Sequence, residues 1–365
     1  MNIFFCHRLD KLSGWSTLSL NYIEKFERNS SIIFCTKNNK KLKIKQYSIL
    51  KDPISYLKNP FYFFLDSLKV IKILQILYCK NKDLNIHILV EPYIFFLFFI
   101  KNFFKKKVFY CIGTYSYYLA SSLKWKFLFK FLIYRIDFLI FLSSYVKKKV
   151  QNKILFKNSN QFILNPYIVS NYKSNIQYKQ KNFLNILSVG AIKKRKGYLE
   201  IIKLIANLVK KYQANIYLTI VGSINERPYY KSIIEFIVKN KLNKFVKIKT
   251  RVSNVQLNDI YCKSDIFLLF SKDYNYNVEG FGIVYLEALS KGCTIMISKE
   301  SGGKDLRKFS KELYVFDPRN LNSISDKILE YYRSGGGNRK NNIKIFNRIN
   351  SNNEKKLELF VKELV

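Results

Sequence analysis

Short apolar runs alternate with longer amphipathic stretches along the chain, twice over, and that rhythm restricts it to βα units feeding parallel sheets. In the first set, strand-like runs at 3–6, 32–35, 86–90, 108–111, 138–142 and 162–164 are separated by helix-like stretches at 16–28, 61–79, 123–134 and 144–153. The second set has strands at 186–189, 216–221, 246–248, 266–270 and 294–297, with helices at 197–211, 228–239, 256–262 and 281–291. Between the sets, NPYIVSNYKSNIQYKQKN (165–182) is polar and lacks periodicity, as a linker does. The expected fold is therefore α/β, with two Rossmann-like, doubly wound parallel-sheet domains over 1–168 and 183–334 and a linker over 169–182. A polar tail, 335–365, ends in the apolar positions Leu357, Phe360, Val361 and Leu364, a pattern for a helix docking back on the fold.

Charge narrows the function classes. Lys and Arg number 64 against 25 Asp and Glu, a formal charge of +39 that suits a polyanionic partner. The excess is spread evenly, with 28 basic and 8 acidic residues in 1–170 and 36 and 17 in the remainder. Only 11 of the basic residues are Arg, the side chain best suited to bidentate contacts with phosphate and base edges. A specific nucleic-acid partner is not expected.

The six cysteines, at 6, 35, 79, 111, 262 and 293, form no C-x-x-C pair and no cluster with His7 or His87, so they read as reduced thiols and no metal site is expected. Charges such as Lys69, Glu91, Lys101 and Asp137 break each long apolar stretch below the length of a spanning helix. The strand-like start MNIFFCH has none of the parts of a secretory signal, which points to the cytoplasm. Aromatics beside lysines in YIFFLFFIKNFFKKK (93–107) leave open a peripheral contact with the inner face of a membrane.

Two segments carry chemistry. In VEGFGIVYLEALSKG (278–292), Glu287 is the only charge between Gly280 and Ser290, in a stretch apolar nearly all round. A lone buried carboxylate needs a partner, either a structural cation or a ligand. With a helix predicted over 281–291, the backbone amides of Phe281, Gly282 and Ile283 would point from its N-terminus toward phosphate or sugar oxygens. In LSVGAIKKRKGYLEII (187–202), a strand, a turn at Gly190 and the run Lys193, Lys194, Arg195, Lys196 place cations at a strand's C-terminal end. That end is the usual ligand edge of an open α/β sheet. The strict dinucleotide and P-loop signatures, and any Asp-x-Asp for a metal diphosphate, are absent.

Together these segments resemble the nucleotide-sugar half of a GT-B glycosyltransferase of family 4, over most of residues 183–330. Glu279 and Glu287 match that family's E-x7-E motif within EGFGIVYLEALSKG. LSVGAIKKRKG resembles the donor-diphosphate loop, YLTIVGS (217–223) and SDIFLLFS (264–271) the neighbouring strands, and SGGKDL (301–306) a following glycine pair. In the N-terminal half, LSGWSTLSLNYIEKF (12–26) resembles the family's first glycine loop, while LSSYVKKKV (142–150) and ILNPYIV (163–169) resemble its closing elements.

The resemblance implies two domains facing a cleft and transfer of a sugar from a nucleotide-diphosphate-sugar donor to a hydroxyl acceptor, on a glycan or a lipid-linked carrier. Retention of configuration and independence of metal and other cofactors are also implied, the nucleotide sugar being a co-substrate. Surface-glycan assembly, as of lipopolysaccharide or capsule, would fit. It gives catalytic roles to Glu279, near the transferred sugar, and to Arg195 and Lys196, at the departing diphosphate. Donor binding falls to Glu287 at the ribose, with Gly190, Gly280, Phe281, Gly282 and Ile283, and with Arg251 and Val252 near the base; Gly14 and Trp15 lie on the acceptor side. Two positions depart from the family pattern: Ala191 stands where many relatives carry Arg, and Ile112 where a histidine is often presented. A catalytically lapsed relative kept as a binding partner, a sugar-nucleotide epimerase of the same fold, and a peripheral membrane or nucleic-acid binder stay open as alternatives.

Overall fold

The computed structural model describes residues 1–9, 14–156, 160–169 and 182–364. All but the two end residues of the expected linker, 169–182, lie outside them, as do Leu12 and Ser13 of the first glycine loop.

The chain forms two compact units, Met1–Pro166 with Asn353–Val365, and Tyr167–Asn352. In the first, β1 (Asn2–Phe5), β2 (Ser31–Phe34), β3 (Lys45–Tyr47), β4 (Asn85–Ile88), β5 (Lys106–Cys111), β6 (Phe138–Phe141) and β7 (Asn160–Ile163) form a sheet in the order β3-β2-β1-β4-β5-β6-β7. In the second, β8 (Leu184–Val189), β9 (Ile216–Val221), β10 (Val246–Lys249), β11 (Ile266–Leu269), β12 (Thr294–Ser298) and β13 (Tyr314–Phe316) take the order β10-β9-β8-β11-β12-β13. Every pairing in both sheets is parallel. Each is thus a doubly wound sheet whose strand order reverses beside its first strand, β1 or β8.

Burial explains why these segments pair. All four residues of β6 and of β11 are buried, as expected of parallel strands covered on both faces. The helix Tyr198–Tyr212 buries Ile201, Ile202, Leu204, Ile205 and Leu208, a stripe at helical spacing, and ends where Gln213 turns left-handed with φ 51°. The helix Asn254–Lys263 is started by a capping box between Ser253 and Gln256.

Two expectations need correction. The helix expected over 281–291 is Val284–Ser290, because Gly282 has φ +84° and cannot join a right-handed helix. The expected polar tail contains one long helix, Arg339–Leu364. Near its start, Arg339 donates to the carbonyls of Cys262 and Lys291 in the second unit. Near its end, the Phe360 ring lies 4.9 Å from that of Phe162, and Lys25 binds Glu354 and Glu358, all in the first unit.

Candidate active site

In the second unit the strand order reverses between β8 and β11, and the loops leaving their C-terminal ends build one charged cluster. After β8 the chain turns at Gly190, whose carbonyl accepts from the Tyr198 hydroxyl at 2.6 Å. The neighbouring loop after β9 comes so close that a Cβ on Gly222 would sit 1.8 Å from the Gly190 oxygen, so only glycine fits there. Lys194–Lys196 then form a single 3-10 turn that buries Arg195 and Lys196.

Both cations meet Glu279. The Arg195 Nη1 donates to Glu279 Oε2 at 2.7 Å, the Lys196 ammonium binds the same oxygen, and the Ser271 hydroxyl at the end of β11 donates to it at 3.2 Å. Glu279 is fixed from behind by Ser301 and Gly302: it forms a parallel bridge with Ser301, and the Gly302 amide donates to its carbonyl at 3.0 Å. Burial opposes its ionisation, but Lys196 and Arg195 overcome that and hold its carboxyl well below the usual range. Burial pulls the Lys196 amine down to about 8 against the attraction of Glu279. Burial, with Arg195 nearby, also lowers Lys193. The Arg195 Nε is buried and has no hydrogen-bond partner among the described residues. Two cations against one carboxylate, with a donor left over, form a site with net positive charge suited to an anion.

Glu287 lies apart from that cluster's hydrogen bonds. It is half-buried on the helix Val284–Ser290 and accepts from the Tyr261 hydroxyl at 2.8 Å. Burial raises its carboxyl above the ordinary value, against the lowering effect of Tyr261. Its observed partner is therefore a phenol rather than a structural cation. Gly280 to Ile283 form the loop between Glu279 and this helix, with Phe281 buried and its carbonyl accepting from Ser301 Oγ at 3.4 Å. Arg251, exposed, and Val252 follow β10, which β9 separates from β8.

The first unit gathers a different set at the equivalent edge. Trp15, in the helix Gly14–Ile23, packs its ring 5.7 Å from that of His7 and 5.5 Å from that of Tyr115, and His7 Nε2 lies 3.2 Å from Asp52. Beyond β4, the fully buried Glu91 takes four donors on one oxygen: the amides of Ile112, Gly113 and Ser116 at 3.1, 3.0 and 3.3 Å, and the Ser116 hydroxyl at 3.0 Å. Its Oε2 is buried and has no partner among the described residues. Burial raises its carboxyl, against those hydrogen bonds. His87 is buried in the core against Phe4, bonded to Tyr22 and Asn2 and pushed by burial down to about 3.

Residues 171–361, more than half the chain, match the family described as glycosyl transferases group 1. The chain belongs to that family. A capsular polysaccharide biosynthesis glycosyltransferase, CapH of Staphylococcus aureus, is 24% identical over 174 residues, covering 48% of this chain and 46% of CapH. The chain spans about half the length of the curated relatives it matches. Among solved structures, Anabaena HepE in complex with UDP has a TM-score of 0.73 at 16% identity, covering 100% of this chain and 99% of HepE. The lipopolysaccharide outer core galactosyltransferase WaaB has a TM-score of 0.70 at 16% identity, covering 99% of this chain and 100% of WaaB. The two parallel α/β sheets are those of the GT-B neighbours.

In this group 1 glycosyl transferase the fold brings Gly190, Arg195, Lys196 and Glu279 to one edge, with Arg195 and Glu279 84 residues apart in sequence. It does not hydrogen-bond Glu287 to that cluster, and it leaves Arg251 and Val252 at another strand end. Ser271, Tyr261, Ser301 and Glu91 were not singled out from the sequence as site residues. For Glu91 the sequence carries a signal, a lone carboxylate closing an apolar run.

Proposed function

We propose that the protein transfers a glycosyl group from a nucleotide-diphosphate sugar to a hydroxyl acceptor, with retention of configuration and without a metal ion. The observation that supports this most is the buried cluster of Arg195 and Lys196 on Glu279, with an unpartnered Arg195 Nε. In the step, the acceptor oxygen bonds to the anomeric carbon as the bond from that carbon to the diphosphate oxygen breaks. The electron pair leaves on the diphosphate, which takes up the acceptor's proton. Arg195 and Lys196 meet that developing charge with fixed cations, the task a divalent ion performs elsewhere. Glu279 aims both cations and faces the transferred sugar, while Glu287 holds the ribose hydroxyls. The acceptor is a growing surface glycan, free or lipid-linked, a reading supported by CapH, a capsule-biosynthesis protein, and by WaaB, a lipopolysaccharide galactosyltransferase.

The test is thermal stabilisation by UDP-, GDP-, ADP- and dTDP-sugars in excess chelator, for the protein and for Glu287→Ala. A ligand that binds only the folded state raises apparent stability, by about 2.7 kcal/mol at a hundredfold excess over its Kd. Stabilisation by one nucleotide class, retained in chelator and lost in the variant, is expected. Stabilisation by none of them sinks the donor reading. Ile112, in place of a histidine, favours a second reading: donor binding without transfer. It predicts the same stabilisation with no glycosylated product from any acceptor.

A further inference from the structure

We infer that the first unit carries a face that docks on the surface of an anionic lipid bilayer, formed by Phe61, Phe64, Phe98, Phe99, Phe127 and Phe131 with the lysines around them. The helix Phe61–Lys80 is apolar on two sides. Phe63, Val70, Leu74 and Leu77 are buried, but Phe61, Phe64, Leu65, Leu68 and Ile76, at helical spacing on another side, are exposed. A helix covering a sheet ordinarily turns polar residues outward. The helix Lys126–Ile133 repeats the pattern, burying Phe129, Leu132 and Ile133 while Phe127 stands 77% exposed, and Leu123 just before it is 98% exposed.

Ring contacts join most of these residues in two groups, which the adjacent Phe98 and Phe99 of the helix Leu97–Ile100 connect. Phe61 lies 5.9 Å from Phe64, Phe64 6.0 Å from Phe99, and Phe98 stacks on Phe131 at 5.8 Å, with the Arg135 guanidinium over the far ring. Contiguous exposed apolar surface of this kind marks an interaction site.

Charge selects the occupant. Residues 92–136 contain eight Lys and Arg and no Asp or Glu; Lys105 and Lys107 pair with Asp83 and Asp137 just outside that segment, while no acid among the described residues binds Lys101, Lys124, Lys126, Lys130 or Arg135. Across 54–82 the only acid is Asp66, fully buried and bound by Lys51 and Lys69. A second copy docking by the same face would set Lys101, Lys124, Lys126 and Lys130 against their own counterparts. An anionic bilayer satisfies both halves of the surface, taking the aromatics into its interface and the lysines among its headgroups. No helix among the described residues is long and apolar enough to cross a membrane, so the contact is interfacial.

This inference does not depend on the transferase reading. The whole chain would be cosedimented with vesicles of phosphatidylcholine alone and of phosphatidylcholine with about one-third phosphatidylglycerol, a headgroup charge that attracts basic segments. Binding to the anionic vesicles only is expected. The triple variant Phe64→Ser, Phe127→Ser, Phe131→Ser should weaken it by roughly tenfold or more at unchanged donor stabilisation. A second variant, Lys72→Gln with Lys126→Gln and Lys130→Gln, keeps the rings and should weaken binding most at low salt. Failure to bind anionic vesicles, equal binding to neutral ones, or undiminished binding by the lysine variant would overturn the inference. So would lipid-free dimerisation that the serine variant abolishes.

Discussion

At the C-terminal edge of β8 and β11 a buried carboxylate, Glu279, is held by two cations, whereas at the edge of β4 and β5 a buried carboxylate, Glu91, is held by backbone amides and a serine. The sheets share parallel pairing and the same reversal of strand order, so topology does not cause the difference. Compensation by full charges drives Glu279 below its ordinary pKa. Compensation by dipoles alone leaves burial in command, and Glu91 rises. One scaffold thus yields a cluster of two cations on one carboxylate in the second unit and, in the first, a carboxylate that fixes the loop after β5.

The comparison is tested most severely by removing each charge while keeping the shape. Glu279→Gln leaves Arg195 and Lys196 buried side by side, and breaking such a pair should cost about 3–5 kcal/mol of unfolding free energy, read by denaturant melts. Glu91→Gln keeps an acceptor for the amides and should cost under about 1 kcal/mol; Glu91→Ala orphans four donors and should cost about 1–3 kcal/mol. Equal losses in the two Gln variants would break the contrast.

The two carboxyls also predict opposite pH slopes. Glu279 has a lowered folded pKa, so its stabilisation is present above the ordinary carboxyl pKa and is lost as pH falls toward the folded value. Glu91 has a raised one, so between the ordinary and the raised value the folded state binds more protons and stability falls as pH rises. Melts of Glu279→Gln and Glu91→Gln across acid pH should each flatten one of these slopes and leave the other.

A further effect, on binding and not on stability, concerns Lys196. With its amine at about 8, an incoming diphosphate finds it charged only below that pH, so donor affinity should fall by about tenfold for each pH unit above it. Titration calorimetry at rising pH checks this, and a flat profile would remove Lys196 from the donor's contacts.

Much of the architecture was legible in the sequence because buried parallel strands read as continuous apolar runs. The run at 216–221 coincides with β9, and 266–270 differs from β11 by one residue. β3 and β13, three residues each, are too short to show a period, and their places come from pairing with β2 and β12. The helices Pro53–Lys58 and Leu321–Arg333 lie outside the expected elements. In the site, Gly190, Arg195, Lys196, Glu279 and Glu287 were visible as motifs. Ser271 and Ser301 lie inside the matching segments 264–271 and 301–306 and Tyr261 outside them, but nothing local marks any of the three as a partner, since hydroxyl residues are common everywhere and only proximity singles them out.

The sequence by itself determined the two sets of βα units, the family, and the cations and carboxylates offered at the strand ends, because periodicity and motif spacing are local properties of the chain. Only the tertiary structure decided that Glu279 takes both Arg195 and Lys196 while Glu287 takes Tyr261, that Glu91 fixes the loop after β5, and that the aromatics of three separate helices meet on one exposed face. Each of those pairings joins residues distant in sequence, and the energy of a buried charge or an exposed ring is set by the neighbours that folding brings to it.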